Sequence, residues 1–337
     1  MINSFAVVAF LGATVFATPA VAHEGWIEDF DKAVTVAKEQ KKDLLVDFTG
    51  SDWCGWCIKL NKEVFDHDVF REGIAANYVL VSLDFPRGEE PKSKVPNPER
   101  NQELKAKYAI SGFPTILLMN SDGLVYGQTG YQEGGPEAYL KHIEELRTTG
   151  LPQLEKVTSI ANAYAAAAEA DKVNALRTVI NALLELPADS AFKPVLAEPA
   201  RDAFTLDPEN KEGLKLLAVK ALSLSGEHSK ELLGYAIELD GHNEHGVYEA
   251  AVWAQFMSVT NPTQAKAAIG SLNGLADYKF VDKETGFMLN LNAARWTTLE
   301  GMEDIERSKA FARRALEIGH SSPQHMETAK ELAGDTN

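Results

Sequence analysis

The chain has 337 residues, enough for two domains that each bury a core of their own. With 45% hydrophobic and 24% charged residues, its composition is that of a soluble globular protein. A formal net charge of −16 argues against nucleic acids and anionic membrane surfaces as partners, because both would repel it.

Residues 1–22 read as a secretory signal peptide. Residues 5–16 form an apolar run too short for a comfortable membrane span, and Pro19 precedes Ala20-Val21-Ala22, a small-x-small cleavage site. Cleavage after Ala22 would leave a mature chain with no membrane span, exported to an oxidising compartment where disulfides persist. No Lys or Arg precedes the run, so a retained anchor is the alternative.

The first strong element follows at residues 41–48, KKDLLVDF, where charged residues give way to Leu44-Leu45-Val46 and then Phe48. This is the pattern of a buried parallel strand, interrupted by Asp47. An acid in so apolar a run is costly unless it has a partner, and otherwise it turns to solvent at the strand end. The stretch TGSD makes a turn, and residues 54–65 have the apolar spacing of a helix, with Cys57, Ile58, Leu60, Val64 and Phe65.

That turn and helix hold the only two cysteines, Cys54 and Cys57, flanked by Trp53 and enclosing Trp56. A bridge across so short a ring constrains the unfolded chain little, so the pair is a poor staple. A structural zinc needs four ligands, whereas no second Cys-x-x-Cys or paired His lies nearby and His67 stands alone between Asp66 and Asp68. No metal and no organic cofactor is expected, which leaves a dithiol that cycles. In the first turn of a helix, unsatisfied N–H groups and the helix dipole favour the thiolate. Lys59 and Lys62 read as a solvated helix face whose charge adds slightly to that effect.

Residues 78–85, YVLVSLDF, form the next strand. Residues 86–100 carry four prolines among mixed charges and read as an extended surface loop, either a selector of partners or a neutral insertion, with a helix beginning near Asn101. In residues 108–123, YAISGFPTILLMNSDG, Phe113 and Pro114 stand directly before an apolar strand. After about Gly150 strand-like runs vanish, and Ala- and Leu-rich segments with helical spacing take over, punctuated by Gly or Pro. Residues 203–210 (AFTLDPEN) and 236–243 (AIELDGHN) are spaced by 33 residues, with 315–322 as a fainter third. The histidines here, including His242 and His245, have no matching ligand set and read as surface residues.

Taken together, residues 25–149 resemble the thioredoxin-like family, and within it secreted bacterial members with a Trp-Cys-Gly-Trp-Cys site. The resemblance rests on residues 53–57, the strand with Asp47, the strand at 78–85, and Gly112-Phe113-Pro114-Thr115. It implies that Cys54 is the attacking thiolate, that Cys57 resolves the mixed disulfide, and that Pro114 is a cis-proline packed against the disulfide. It also implies that Phe113, Pro114 and Gly130 line a groove for a partner peptide, with Trp53 and Trp56 beside it, and that Asp47 is a buried acid helping Cys57 lose its proton. Seven positions separate Asp47 from Cys54, one more than in ordinary thioredoxins, which puts the register of Asp47 in question. The 33-residue spacing weakly resembles tetratricopeptide repeats, a non-repetitive helical bundle being the alternative.

The expected organisation is a signal peptide at 1–22, an α/β thioredoxin-like domain at 23–149, and an all-α helical domain at 150–337. The expected activity is that of a periplasmic or secreted thiol–disulfide oxidoreductase acting on protein thiols and disulfides, recycled by a redox partner, with the helical domain offering a surface to a further protein. The alternative is a binding scaffold in which the helical array does the work. The direction of exchange is not fixed by the residues.

Overall fold

The computed structural model describes residues 25–187, 190–299 and 301–335; the expected signal peptide and its cleavage site lie outside the described residues. The chain divides into two compact units at Thr148 and Thr149.

In the first unit the elements run β1 (Trp26–Ile27), α1 (Phe30–Gln40), β2 (Asp43–Thr49), α2 (Gly55–Leu60), α3 (Asp68–Ile74), β3 (Tyr78–Asp84), α4 (Glu89–Lys92), α5 (Pro98–Lys107), β4 (Thr115–Met119), β5 (Val125–Thr129) and α6 (Gly135–Ala165). Among the described residues the strands form one five-stranded sheet in the order β1-β3-β2-β4-β5. β3 lies parallel to both β1 and β2, whereas β4 is antiparallel to β2 and β5. The central strand β2 is therefore covered on both faces, which is why Leu44, Leu45, Val46 and Phe48 are all fully buried. One face packs Leu44, Val46 and Phe48 with Val79, Val81, Leu83, Leu117 and α1. Alternation along β2 sends Leu45 and Asp47 to the other face.

Local chemistry sets the element ends. Asp29 caps α1 by accepting from Lys32 N–H at 2.9 Å. The helix expected over residues 54–65 is regular only through Leu60 and continues as a π-helical turn, Asn61–Phe65. The loop expected over 86–100 is shorter than that: it contains α4, and α5 starts at Pro98 rather than near Asn101. Proline is at home in a first helical turn, where its missing N–H has no partner to lose.

The second unit is helical, as expected. It comprises the end of α6, then α7 (Lys172–Glu185), α8 (Lys193–Ala200), α9 (Ala203–Leu206), α10 (Leu214–Leu224), α11 (Lys230–Asp240), α12 (Val247–Met257), α13 (Pro262–Asn273), α14 (Lys283–Trp296), α15 (Ile305–Ile318) and α16 (Pro323–Ala333). Gly150 and Pro152 do not interrupt α6, which runs through both.

The 33-residue spacing has a structural counterpart. Asp207 accepts from the N–H groups of Glu212 and Leu214, and Asp240 accepts from those of His245 and Val247. Asn210 then accepts from Leu216 N–H, and Asn243 from Glu249 N–H. Both asparagines are left-handed, at φ 55° and 59°, as are Gly213 and Gly246 at 74° and 69°. The third stretch is built differently, since Ser322 caps α16 and Gly319 ends α15. His242 and His245 are exposed, as expected.

Candidate active site

β2 ends at Thr49 and the chain turns through residues 50–54, where Cys54 N–H donates to Gly50 O at 2.9 Å. Gly50 is required: a Cβ there would stand 2.7 Å from the Trp53 indole. Cys54 is the N-cap of α2, its Sγ accepting from Cys57 N–H at 3.2 Å. A sulfur in that position faces the unsatisfied N–H groups of a helix start, the environment that favours a thiolate once the pair is reduced. Cys54 and Cys57 form a disulfide with Cα atoms 5.2 Å apart. Both are buried, Cys57 more deeply, at 1% exposure against 6%.

The Phe113–Pro114 peptide bond is cis. β4 begins at the next residue and pairs with β2, Thr115 opposite Phe48, so the Pro114 segment adjoins the turn that carries the cysteines. The two segments meet through an edge-to-face contact of Trp53 and Phe113, centroids 5.7 Å apart. Gly130 comes to the same place: a Cβ on it would lie 3.1 Å from Pro114 O. Trp56 projects outward at 58% exposure.

Asp47 does not turn to solvent. It is 3% exposed, sits between Ser82 of β3 and Ile116 of β4, and its Oδ1 has no hydrogen-bond partner. Burial, with the nearby Asp84 carboxylate adding to it, pushes its pKa up to about 8. The group is thus neutral over most of the physiological range and able to take up or release a proton near neutrality.

Sequence reading missed the residues that hold the cysteine turn. Ser51 donates to Asp84 through both N–H and Oγ, at 2.9 and 2.5 Å. The Asp52 carboxylate accepts from the N–H groups of Arg87 and Gly88, at 3.0 and 2.6 Å, and these bonds hold its pKa below the usual carboxylate value. Trp53 Nε1 donates to Phe85 O at 2.9 Å, and the Arg87 guanidinium stacks 3.7 Å from the indole centroid. Three consecutive residues thus clasp the end of β3 and the segment after it. Across the site, Trp56 leans on Tyr131, centroids 5.3 Å apart, and Tyr131 donates to Glu63 at 2.6 Å. Lys59 Nζ lies over both rings, so it is less a solvated cation than was expected. The extra residue between Asp47 and Cys54 is the one available signal, for it marks a turn with more polar side chains to place.

A parallel-antiparallel sheet, a disulfide at the start of the helix after its central strand, and an adjoining cis-proline define a thioredoxin-type redox domain. Residues 30–147 match the family model described as a thioredoxin-like domain. The disulfide bond reductase DsbH of Chlamydia pneumoniae is 33% identical over 127 residues, which covers 37% of this chain and 74% of the relative. The thioredoxin-related protein DsbJ of the same organism is 25% identical over 140 residues, 40% of each chain. Among solved structures, a DsbH oxidoreductase is similar at 30% identity and TM-score 0.32, over 37% of this chain and 84% of that one. The oxidised C-terminal domain of Neisseria meningitidis DsbD is similar at 19% identity and TM-score 0.26, over 34% of this chain and 90% of that one. The chain belongs to the thioredoxin-like family. At family level it is a thiol–disulfide oxidoreductase.

Proposed function

We propose that this is an exported oxidoreductase that reduces disulfides in protein substrates through Cys54 and Cys57. The observation that carries the reading is the cysteine pair itself, bonded across the first turn of α2 beside a cis-proline segment. Export rests on the leader pattern of residues 1–22; among the described residues no helix is long and apolar enough to cross a membrane. The reductive direction is supported by the relative whose name is disulfide bond reductase.

In that direction the reduced pair begins the cycle. The Cys54 thiolate attacks one sulfur of a substrate disulfide, forming a mixed disulfide and expelling the other substrate sulfur as a thiolate. Cys57, buried behind it, loses its proton to the ionised fraction of Asp47 and attacks Cys54 Sγ. The Cys54–Cys57 bond re-forms and the second substrate thiol leaves. Two electrons have passed to the substrate, and an external dithiol partner restores the reduced pair. Trp53, Trp56, Phe113, Pro114 and Gly130 form the groove that receives the substrate chain, and the helical unit offers a surface that selects or positions a protein partner.

The test is to replace Cys57 by Ser and add oxidised substrate protein. The reading requires a mixed disulfide through Cys54 that accumulates because nothing resolves it. Faster alkylation of Cys57 than of Cys54 in the reduced protein at neutral pH would reverse the assigned roles.

A further inference from the structure

The two walls beside the disulfide differ in charge. On one side Trp53, Phe85 and Phe113 form a continuous aromatic surface, with centroids 5.7 Å apart for Trp53 and Phe113 and 5.3 Å for Phe85 and Phe113. Two cations lie on this surface. The exposed Arg87 guanidinium is 3.7 Å from the Trp53 centroid, and Lys105 Nζ is 5.7 and 5.4 Å from those of Phe85 and Phe113. Among the described residues neither cation makes a salt bridge; Arg87 is anchored by its backbone N–H on Asp52, which leaves its guanidinium facing outward.

The neighbouring carboxylates keep their charge but direct their oxygens at neutral donors. Asp52 takes the Arg87 and Gly88 amides and Asp84 takes Ser51, while the buried Asp47 is itself neutral below about pH 8. On the opposite wall Lys59 faces Glu63 at 3.9 Å and feels Glu133 as well, so its charge is already answered by carboxylates. A chain of net charge −16 therefore presents, next to the cysteine turn, two cations that no salt bridge holds, although the Arg87 charge also acts on Asp52. Each is spread over a flat ring that could support a substrate backbone.

We propose that the substrates are anionic cysteine segments, stretches of protein carrying Asp or Glu next to the reacting cysteine, which Arg87 and Lys105 select. This inference rests on the reading of the groove given above. The cations act at short range, within a Debye length of about 8 Å at physiological salt, so the negative charge of the distant parts of the molecule is screened from them. Selection thus depends on charge within a few residues of the cysteine, not on the substrate's total charge.

The experiment compares three extended peptides, each joined to the same small thiol by a disulfide and differing only in the two residues flanking the cysteine: Glu, Gln or Lys. Their kcat/KM values are measured with the full-length reduced protein at physiological salt. The Glu peptide should exceed the Gln peptide about fivefold, two exposed ion pairs each supplying a factor of about two to three, and the Lys peptide should be the slowest. In Arg87→Gln/Lys105→Gln the ratio of Glu to Gln peptide should fall to about one, and in Arg87→Glu the order should invert. Loss of a merely structural contact would slow all three alike and leave the ratio unmoved, which would overturn the proposal. So would a ratio of one or less in the unmodified protein, a result that needs no variant to fold. Neutral bis(2-hydroxyethyl) disulfide is the control: if the unmodified protein reduces neither it nor any peptide, the oxidoreductase reading fails and takes this inference with it. Reduction of the neutral disulfide without peptide preference overturns this inference alone.

Discussion

Replacing Asp47 by Asn should stabilise the α/β unit, and by an amount that grows with pH. Folding raises the Asp47 pKa from 3.8 to about 8, because burial penalises the charged form and Asp84 adds to the penalty. For an acid whose pKa rises on folding, stability is greatest below the unfolded value and is lost as pH climbs toward the folded one. About four pH units at 1.36 kcal/mol each put the cost of Asp47 at roughly 6 kcal/mol by pH 8. An Asn amide in the same place bears its own burial penalty of ~1–3 kcal/mol, since Oδ1 has no hydrogen-bond partner to offer it. The net gain should be about 3–5 kcal/mol at pH 8, shrinking to nothing or slightly reversing near pH 4. Hydrogen exchange of β2 and β4 amides, corrected for the intrinsic rate at each pH, reads this unit alone and avoids mixing in the helices. Asp84→Asn should lower the folded-state Asp47 pKa, so that the effect begins at the same pH but levels off at a lower one and the gain is smaller. A gain that is the same at pH 4 and pH 8, or a destabilisation at pH 8, would refute the argument.

Other outcomes follow from particular contacts. Asp52→Ala should speed amide exchange at Arg87 and Gly88 while leaving the β3 amides protected, because only the clasp is released; uniform exchange across both would contradict that role. Glu249→Ala in the helical unit removes the acceptor of Val281 N–H, Asp282 N–H and Asn243 Nδ2, and should cost roughly 3 kcal/mol or more in denaturant unfolding. Tyr131→Phe keeps the ring against Trp56 but drops the bond to Glu63; Trp56 fluorescence anisotropy should fall, and an unchanged value would show that the hydroxyl does not fix the pair.

The central strand and the cysteine turn were legible because their signals are local. An apolar run with one acid, two cysteines three positions apart, and a proline directly before a strand each carry meaning within a dozen residues. The repeated turn of the helical unit was visible for the same reason: Asp207 and Asp240 bond amides five and seven residues ahead, so the pattern recurs intact at 33-residue spacing. The clasp was not legible, since Asp52 meets Arg87 across 35 positions and Tyr131 meets Glu63 across 68, and no periodicity links them. The start of α5 was misplaced because four prolines suggested a loop, although Pro98 occupies a first helical turn where proline is welcome. The passage of α6 through Gly150 and Pro152 was hidden likewise, since two residues that disfavour helix are outweighed by the helix-forming residues around them.

The most direct test of the account is an equilibrium titration of Cys54 and Cys57 against dithiothreitol buffers of defined redox ratio, read by alkylation and mass. The account predicts one reversible two-electron transition, with a tenfold change in the reduced-to-oxidised ratio for every 29.6 mV, in which both thiols appear together. Thiols that titrate separately, or a bond that no accessible potential opens and re-forms, would contradict the claim that this pair is the working centre.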